Sequence, residues 1–389
     1  EPDSVQQTDR AKSVLIVGGG IAGLAVGWRL AQAGLAVTLF ERGRLGEGAS
    51  RAAAGMLAGG VEIEPGEEEL YPLSRRAQAL WPGFLEELAV ASGTPPAAFG
   101  YRSEGTLVVA RTADELRRLE QRARLQMRLG VALERLDAAA LLALEPALSA
   151  DLQAGYLSRG DHQVENRALA PALAAAFRAA GGRVREGTAV ERLLVEQGRA
   201  AGLLLAGGER IDGAAVVLAA GAWSRGLEGL PADCRPPVRP VKGQMLALRQ
   251  DPAQPLLRHV LWGPGVYLVP RTDGRLLIGA TVEERGFDTG VTAGGMLSLL
   301  DAAWRLLPGI EELPLVESWA GLRPTSRDDQ PILGPTPLAG LHLACGQHRN
   351  GVLLLPAVAE TVAASVLGRP PAAEAAPFTL ARFGLEAAA

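Results

Sequence analysis

Six consecutive residues near the start of the sequence, Gly18-Gly19-Gly20-Ile21-Ala22-Gly23, have the types and spacing that bind a dinucleotide. In this GxGxxG pattern the first glycine allows a tight turn, and the second lets the backbone approach a pyrophosphate without a Cβ in the way. The third lets the following helix pack closely against the preceding strand. The N-terminus of that helix offers free N–H groups and a partial positive charge to the phosphates. The predicted contacts are Gly18, Gly20, Ile21, Ala22 and Gly23.

The elements around this motif are those that a dinucleotide site needs. Ser13 to Val17 is a continuous apolar run, which is typical of a strand buried on both faces. An apolar helix at 22–33 and a second strand at 36–40 complete a βαβ unit. Glu41 ends the second strand, where its carboxylate can accept hydrogen bonds from a ribose diol. The alternative is a structural glycine turn beside an incidental surface glutamate, and the complete context argues against it.

The segment after Glu41 favours FAD over NAD as the dinucleotide. It contains two runs of small residues, at 46–50 and 52–56. Small residues let backbone amides crowd against a large flat ligand, although a flexible loop has a similar composition. From this segment we predict cofactor contacts at Arg42, Ala49, Ser50, Ala54, Gly55 and Met56.

Beyond residue 60 the pattern alternates between two kinds of structure. Helices are predicted at about 70–92, 112–129, 169–180 and 292–307. Residues 235–290 alternate in the manner of antiparallel strands, with turns at Gly263-Pro264-Gly265 and Asp273-Gly274. The chain therefore moves between a nucleotide domain and a second β-rich domain, so that both are discontinuous.

The composition excludes several classes of function. The 389 residues are 48% hydrophobic and 21% charged, and the net charge is -4 with no clustered basic face for nucleic acid. Cys234 and Cys345 cannot form a disulfide framework, and their spacing matches no metal motif. Residues 1–11 lack the apolar stretch of a secretory signal, and the apolar stretch 351–368 is interrupted by Pro356. We expect a cytoplasmic protein with no metal, nucleic-acid or membrane partner.

Longer motifs run in order from residue 13 to residue 368. They are VLIVGGGIAGL at 14–24, FER at 40–42, GEGASRAAAGML at 46–57, VVLAAGAWS at 216–224, RPVKGQM at 239–245, YLVPRTDGRLLIGAT at 267–281, WAGLRPTSRDDQPILG at 319–334 and GQHRNGVLLLPAVAE at 346–360. Through them the sequence resembles the D-amino-acid oxidase family of flavoproteins, and most closely the glycine oxidases of the thiamine pathway. The combination of AAAGML, GLRP and HRNG is considerably more specific than the glycine motif.

The resemblance implies an α/β (α+β) fold in which a Rossmann-like FAD-binding domain is interleaved with a substrate-binding domain built on an antiparallel sheet. The FAD-binding domain is expected at 12–91, 161–232 and 318–370. The substrate-binding domain is expected at 92–160 and 233–317. Flexible tails are expected at 1–11 and 371–389.

The resemblance also implies a reaction. A small amino acid is oxidised to its imine, and O2 reoxidises the FAD to give H2O2; in the glycine oxidases the imine of glycine feeds thiazole synthesis. The α-hydrogen moves as a hydride from the neutral amine, so no protein base is required for that transfer. The site must mainly hold the Cα–H about 3–3.5 Å from the flavin.

Three side chains are implied at the substrate. Arg323 of GLRP is expected to bind the carboxylate, because a guanidinium can hold it through two parallel hydrogen bonds. Tyr267 is expected to line the site, and Arg349 of HRNG to stand near the same pocket. The alternatives are a surface arginine at 323, a plain core tyrosine at 267 and an ion-pair residue at 349.

The resemblance also places residues 346–353 at the flavin. A helix that begins near Gly351 is expected to present its N-terminal dipole to the negative charge of the reduced flavin. The relatives usually have His-Tyr where this chain has Gln347-His348, so hydrogen bonding near the flavin and O2 is expected to differ. The further predicted cofactor contacts are Val190, Gly221, Gly346, Arg349, Asn350, Gly351, Val352 and Leu353.

Several functional alternatives stay open. A sarcosine-type oxidase binds flavin covalently through a cysteine, but Cys345 is expected to be a free buried thiol, which favours non-covalent FAD. A D-amino-acid dehydrogenase docks on a membrane, and no basic amphipathic segment supports that. A non-catalytic FAD-binding subunit or redox sensor would have little reason to keep Arg323 and Tyr267 together. Glycine, sarcosine and small D-amino acids are not distinguished, and the resemblance implies a homotetramer.

Overall fold

The computed structural model describes residues 13–385, so the tail predicted at 1–11 lies outside the described residues. The helices are α1 (Ile21–Gln32), α2 (Ala49–Ala52), α3 (Leu70–Ser92), α4 (Ala113–Arg128), α5 (Ala138–Leu144), α6 (Asn166–Ala179), α7 (Ala293–Leu306) and α8 (Leu355–Val366). The strands of the first half are β1 (Ser13–Val17), β2 (Ala36–Phe40), β3 (Met56–Leu57), β4 (Thr106–Ala110), β5 (Glu134–Asp137), β6 (Ala154–Ser158), β7 (His162–Gln163) and β8 (Arg183–Arg185). Those of the second half are β9 (Val190–Glu196), β10 (Arg199–Leu205), β11 (Arg210–Asp212), β12 (Ala215–Leu218), β13 (Val238–Arg249), β14 (Val260–Gly263), β15 (Val266–Pro270), β16 (Arg275–Gly279), β17 (Leu315–Ser326), β18 (Ile332–Pro335) and β19 (Leu341–Cys345).

A six-stranded sheet carries the glycine motif. Its strand order is β18-β19-β12-β1-β2-β8, and its pairs are parallel except for β18 against β19. Successive residues of β1 enter opposite cores: Val14 and Ile16 pack with α1, α3, α6 and α8, whereas Leu15 and Val17 pack with β9 and β10. Both faces of β1 are therefore buried, which explains its uninterrupted apolar sequence.

An eight-stranded sheet forms the second layer. Its order is β17-β13-β16-β15-β14-β4-β6-β5, and its pairs are antiparallel except for β14 against β4. One face, including Leu246 and Ile278, packs under α7 through Leu299. The opposite face, including Met245 and Val269, packs against Ala54 and Met56 of the segment that follows β2. Together the two sheets confirm the predicted fold class.

Local signals set the ends of several helices. At the start of α4, Thr112 Oγ1 accepts from the Glu115 N–H at 3.2 Å, and the Glu115 carboxylate accepts from the Thr112 N–H at 3.1 Å. This capping box satisfies backbone donors that the first turn leaves open. Helix α3 is followed by Gly93, whose φ of 71° suits glycine.

The structure corrects two predicted boundaries. The expected start of an FAD-binding segment at residue 318 falls inside β17, which pairs with β13 from Leu315 through Ser326 and so belongs to the eight-stranded sheet. The expected flexible tail from 371 is wrong for residues 371–385. Phe378 and Leu380 are buried there, because two short 3-10 turns lay these apolar side chains against the protein.

Among the described residues, no helix combines the length and apolar character that crossing a bilayer requires. Within residues 13–385 there is also no group of three or more His, Cys, Asp or Glu side chains arranged to hold a metal ion.

Candidate active site

A cavity of about 1590 Å³ lies between the two sheets. It begins at the carboxyl ends of β1 and β2, beside Gly18 and Glu41, and extends to Tyr267 and Arg323 on the eight-stranded sheet. Pockets for ordinary small molecules occupy roughly 300–1000 Å³. The larger volume suits a dinucleotide together with a substrate.

The glycines of the motif have the geometry that the motif predicts. Gly18 has a φ of 111°, and a Cβ at this position would lie 2.3 Å from the Ala219 carbonyl oxygen. A Cβ at Gly23 would lie 2.1 Å from the Gly18 carbonyl oxygen. No side chain fits at either position, so β1, α1 and β12 meet as closely as they do only because these residues are glycines.

Glu41 and Ser50 hold the backbone around the first turn. The Glu41 carboxylate accepts from the Gly19 and Gly43 N–H groups, each at 2.8 Å. Ser50 Oγ accepts from the Ile21 N–H at the start of α1, at 3.1 Å. A carboxylate has about four acceptor positions, so Glu41 can still accept from a ribose hydroxyl.

Arg271 anchors the small-residue segment after β2, although the sequence did not predict it as a site residue. This buried guanidinium donates to the Ala54 carbonyl at 2.8 Å, the Val164 carbonyl at 2.6 Å and Asn166 Oδ1 at 2.8 Å. Burial lowers the pKa of Arg271 to about 10, so the side chain stays charged at neutral pH, with Glu165 at 3.7 Å. Arg271 lies in the PRTDG part of the YLVPRTDGRLLIGAT motif, but a motif gives no information about the hydrogen-bond partners of its side chains.

Gln347 gives the cavity wall a hydrogen-bond donor that a polar ligand could use. Its side chain is only 6% exposed and lines the cavity, and within residues 13–385 its Nε2 finds no hydrogen-bond partner. Leaving a buried amide donor unsatisfied costs roughly 1–3 kcal/mol. The orphaned donor and the glycine turns fit a bound FAD.

Arg323 lies at the opposite end of the cavity. Its Nη1 donates to the Thr281 carbonyl at 3.1 Å and the Lys242 carbonyl at 3.4 Å. The guanidinium lies over Gly243, where a Cβ would be 2.7 Å from both Nη atoms. No carboxylate of the described residues forms an ion pair with Arg323, so the positive charge faces the cavity uncompensated.

Tyr267 lies beside this arginine. Its hydroxyl donates weakly to Met245 Sδ at 3.7 Å, and its ring lies 5.1 Å from the Trp262 ring. Burial raises the pKa of Tyr267 to about 12, although the positive charge of Arg323 opposes the shift. Tyr267 is therefore a neutral phenol at physiological pH and can donate a hydrogen bond to an anionic ligand.

Arg349 lines the same cavity but is engaged in ion pairs, as one of its two interpretations predicted. Its Nε lies 3.1 Å from Glu62 Oε2, and its Nη2 lies 2.5 Å from Glu67 Oε2. Burial raises the pKa of Glu62 to about 7; Arg349 opposes the rise, while Asp161 and Glu67 add to it. Neither glutamate was singled out from the sequence, because their partner lies almost 300 residues further along.

His348 is a neutral polar group in this wall. Its Nδ1 lies 2.9 Å from Thr325 Oγ1, and its φ is 50°. Burial lowers the pKa of His348 to about 3, and the nearby charges of Arg349 and Arg323 add to that effect. The imidazole therefore carries no charge across the physiological range.

Most of the predicted cofactor contacts lie in the wall of the cavity. Four of them do not, and the helix expected beside the flavin begins later than predicted. The predicted residues in its wall are Gly18, Gly20, Ile21, Ala22, Glu41, Arg42, Ala49, Ser50, Ala54, Gly55, Met56, Val190, Gly221, Arg349, Gly351 and Val352. Those outside the wall are Gly23, Gly346, Asn350 and Leu353. The helix expected near Gly351 begins at Leu355 instead, because residues 351–354 form turns in which the Leu354 N–H donates to the Asn350 carbonyl at 2.9 Å.

Cys345 is placed for packing. It is fully buried at the end of β19, and its Sγ donates to the Leu218 carbonyl at 3.2 Å. Burial raises the pKa of this thiol to about 12. The residue is not part of the cavity wall.

A Rossmann-like sheet whose glycine turn opens into a cavity with an unpaired arginine defines a flavoprotein oxidoreductase. The sequence matches the FAD dependent oxidoreductase family over residues 13–365. The chain belongs to that family, and its cofactor is FAD.

Three relatives illustrate the similarity. A glycine oxidase from Geobacillus kaustophilus is 38% identical over 95% of this chain and 96% of its own length. A bifunctional protein ThiO/ThiG from Trichormus variabilis is 37% identical over 90% of this chain, which spans 52% of that longer protein. The crystal structure of glycine oxidase from Geobacillus kaustophilus superimposes with a TM-score of 0.87 at 37% identity, covering 94% of this chain and 97% of that one.

Proposed function

We propose that this enzyme oxidises glycine to its imine with O2 as the electron acceptor, which is reduced to H2O2. The observation that carries the proposal is the uncompensated Arg323 beside the neutral phenol of Tyr267, at the far end of the cavity from the nucleotide turn. The similarity to proteins named glycine oxidase supports the choice of substrate. We propose sarcosine and small D-amino acids as secondary substrates.

The residues at this end can orient an amino acid. Arg323 can bind the carboxylate through two parallel hydrogen bonds, which fix both position and direction. Tyr267 can donate a further hydrogen bond to the same group. FAD, when bound, would supply the two-electron oxidation chemistry. The protein contributes orientation, which is worth several orders of magnitude in rate.

We also propose that FAD is held non-covalently. Cys345 lies outside the cavity wall and its thiol hydrogen-bonds to a backbone carbonyl, which removes the reason to expect a thioether link at this position. Denaturing the purified protein and separating it from small molecules tests this part. The yellow colour should leave the protein.

A place in metabolism completes the proposal. The imine is expected to supply thiazole synthesis for thiamine, and the similarity to proteins named ThiO/ThiG supports this. A cytoplasmic location and a homotetrameric assembly are further parts of the proposal. Cell fractionation and size-exclusion chromatography with light scattering test them.

The decisive experiment uses the purified yellow protein. Glycine, sarcosine, D-alanine and D-proline are added in turn while flavin absorbance and H2O2 are measured. Bleaching and peroxide formation strongest with glycine are the expected results. Bleaching only by larger amino acids would change the substrate, bleaching without peroxide would indicate a dehydrogenase, and no bleaching would contradict an enzymatic role.

A further inference from the structure

A second charged group faces the substrate end of the cavity, in addition to Arg323. Glu62 lies in the cavity wall, on the loop that follows β3. The His348 N–H donates to the Pro324 carbonyl at 2.9 Å, which holds the backbone of His348 and Arg349 beside that of Arg323. Arg349 in turn pairs with Glu62 at 3.1 Å, so an anionic and a cationic side chain belong to the same part of the cavity wall.

The charges around Glu62 do not balance. Glu62 and Glu67 share the single guanidinium of Arg349, at 3.1 and 2.5 Å. Asp161 lies beneath the same loop, where it accepts from the Gly60 and Val61 N–H groups at 2.9 and 2.8 Å. When Glu62 and Glu67 are both ionised, their cluster with Arg349 carries one uncompensated negative charge. A buried cluster of this kind requires a proton or a further cation.

The two glutamates differ in what they can reach. Glu62 lines the cavity and is 9% exposed at its side chain, whereas Glu67 is not part of the cavity wall. A cation that enters the cavity can therefore meet Glu62 directly and Glu67 only through Arg349. An amino acid is a zwitterion whose carboxylate matches Arg323 and whose ammonium group matches Glu62.

We propose that the Glu62 carboxylate binds the substrate ammonium group and removes a proton from it before oxidation. The inference rests on the proposed function, since it requires an amino-acid substrate. In this step an N–H bond of the ammonium group breaks and an O–H bond forms on Glu62. A cation and an anion become a neutral amine and a neutral carboxylic acid, and no electrons are transferred.

The surroundings of Glu62 suit this exchange. A proton acceptor works best when its pKa lies near the working pH, and burial together with Asp161 and Glu67 brings the pKa of Glu62 to about 7 against the pull of Arg349. Tyr267 stays protonated and His348 stays neutral over the same range, so neither competes for the proton. The small exposed fraction of Glu62 lets water carry the proton away.

The test compares three FAD-loaded variants with the wild type. Glu62→Gln keeps the shape of the side chain and removes its basicity, Glu62→Asp keeps the carboxylate, and Glu67→Gln changes the other partner of Arg349. Flavin reduction by glycine is followed anaerobically by stopped-flow absorbance as a function of pH. Binding of acetate and glycolate, carboxylates without an amino group, is followed through the flavin spectrum.

At neutral pH we expect Glu62→Gln to reduce the flavin about 100-fold more slowly than the wild type, at the lower end of what proton transfer contributes. The difference should shrink at alkaline pH, where glycine itself supplies neutral amine. Glu62→Asp should keep the rise of rate with pH. Glu67→Gln should keep it too, shifted to lower pH, because Glu67 is one of the charges that raise the pKa of Glu62.

Acetate and glycolate should bind all four proteins with nearly equal affinity, since neither carries an ammonium group. A Glu62→Gln variant that is reduced by glycine with the wild-type rate and pH profile would overturn the role of Glu62 and leave the proposed function intact. A wild-type protein that binds acetate but is not reduced by glycine would overturn the proposed function, and this inference with it.

Discussion

The two ends of the cavity are built in different ways. The nucleotide end is made largely of backbone from one stretch of chain, with Gly18 and Gly20 in the turn and Glu41 accepting from amides on both sides. The substrate end is made of side chains from separate elements: Arg323 comes from β17 and Tyr267 from β15. A backbone site leaves a compact motif in the sequence. A side-chain site exists only once the strands have paired.

The largest expected effect is at the nucleotide end, from Gly18→Ala. The new Cβ would lie 2.3 Å from the Ala219 carbonyl oxygen, and the φ of 111° disfavours any side chain. We expect purified protein without bound flavin, or no soluble protein at all. The ratio of flavin to protein absorbance measures this.

Gly83→Ala is the matched control for that change. Gly83 lies exposed in α3, and a Cβ there has no neighbour within 4 Å. Alanine in an exposed helix should stabilise the protein by about 0.5–1 kcal/mol and leave flavin content unchanged. Full flavin occupancy in Gly18→Ala would contradict the view that this end depends on close backbone approach.

The next largest effect is at the substrate end, from Arg323→Ala. Removing one partner of a buried charge pair costs roughly 2–5 kcal/mol, so kcat/KM for glycine should fall by about 10²–10³-fold. Flavin content should stay normal, because the hydrogen bonds of Arg323 go to the Lys242 and Thr281 carbonyls and not to the glycine turn. Arg323→Lys should recover only part of the activity, because lysine keeps the charge but loses the two-pronged geometry. If Arg323→Ala lost flavin and activity to the same extent, the claim that the two ends of the cavity have separate roles would be contradicted.

The third prediction concerns stability and Glu62. Its pKa is about 7 in the folded protein against 4.5 for an ordinary glutamate. A raised carboxyl pKa gives stability that is fully present below the ordinary value and is lost as pH rises through the folded value. Between pH 4.5 and 7 the free energy of unfolding should therefore fall by on the order of 2–3 kcal/mol through this group.

Urea denaturation at several pH values measures that change. Glu62→Gln should remove most of the fall, since a glutamine does not ionise. Arg271→Lys serves as a contrast, because Arg271 supports the loop through carbonyl contacts and should destabilise the protein at every pH. An identical pH dependence in wild type and Glu62→Gln would show that Glu62 keeps an ordinary pKa.

The smallest effect is expected from Tyr267→Phe. The ring of Tyr267 packs against Trp262 at 5.1 Å and its hydroxyl makes a weak contact with Met245 Sδ at 3.7 Å, so the ring should keep its place without the hydroxyl. The loss of one hydrogen bond to the substrate is worth roughly 0.5–1.5 kcal/mol. We expect about a 3–10-fold rise in KM for glycine with a smaller change in kcat, measured by steady-state peroxide formation.

The same contrast explains what could be predicted from the sequence. The βαβ unit and the helix at Leu70–Ser92 follow from local patterns, and the structure has them where they were expected. Arg323 and Tyr267 entered through motifs of a family rather than through any local rule. Hydrophobic periodicity carries no information about where a polar side chain will find its partner.

The missed residues all have distant partners. Glu62 meets Arg349 across 287 positions, and Arg271 meets Ala54 across 217. Strand β17 continues through Pro324 to Ser326, because pairing with β13 overrides the break that a proline suggests. The late start of α8 has a similar origin, since turns at 351–354 replace the expected first turn of helix.

The burial of both cysteines has a consequence for the lifetime of the enzyme. An oxidase releases peroxide where it is made, and peroxide attacks thiolates and thioethers. Cys234 and Cys345 are buried and their thiols are held protonated, so they are poor targets. Met56 and Met245 instead line the cavity. We expect oxidative damage during turnover to begin at Met56 and Met245, in the wall of the active site, as methionine sulfoxide.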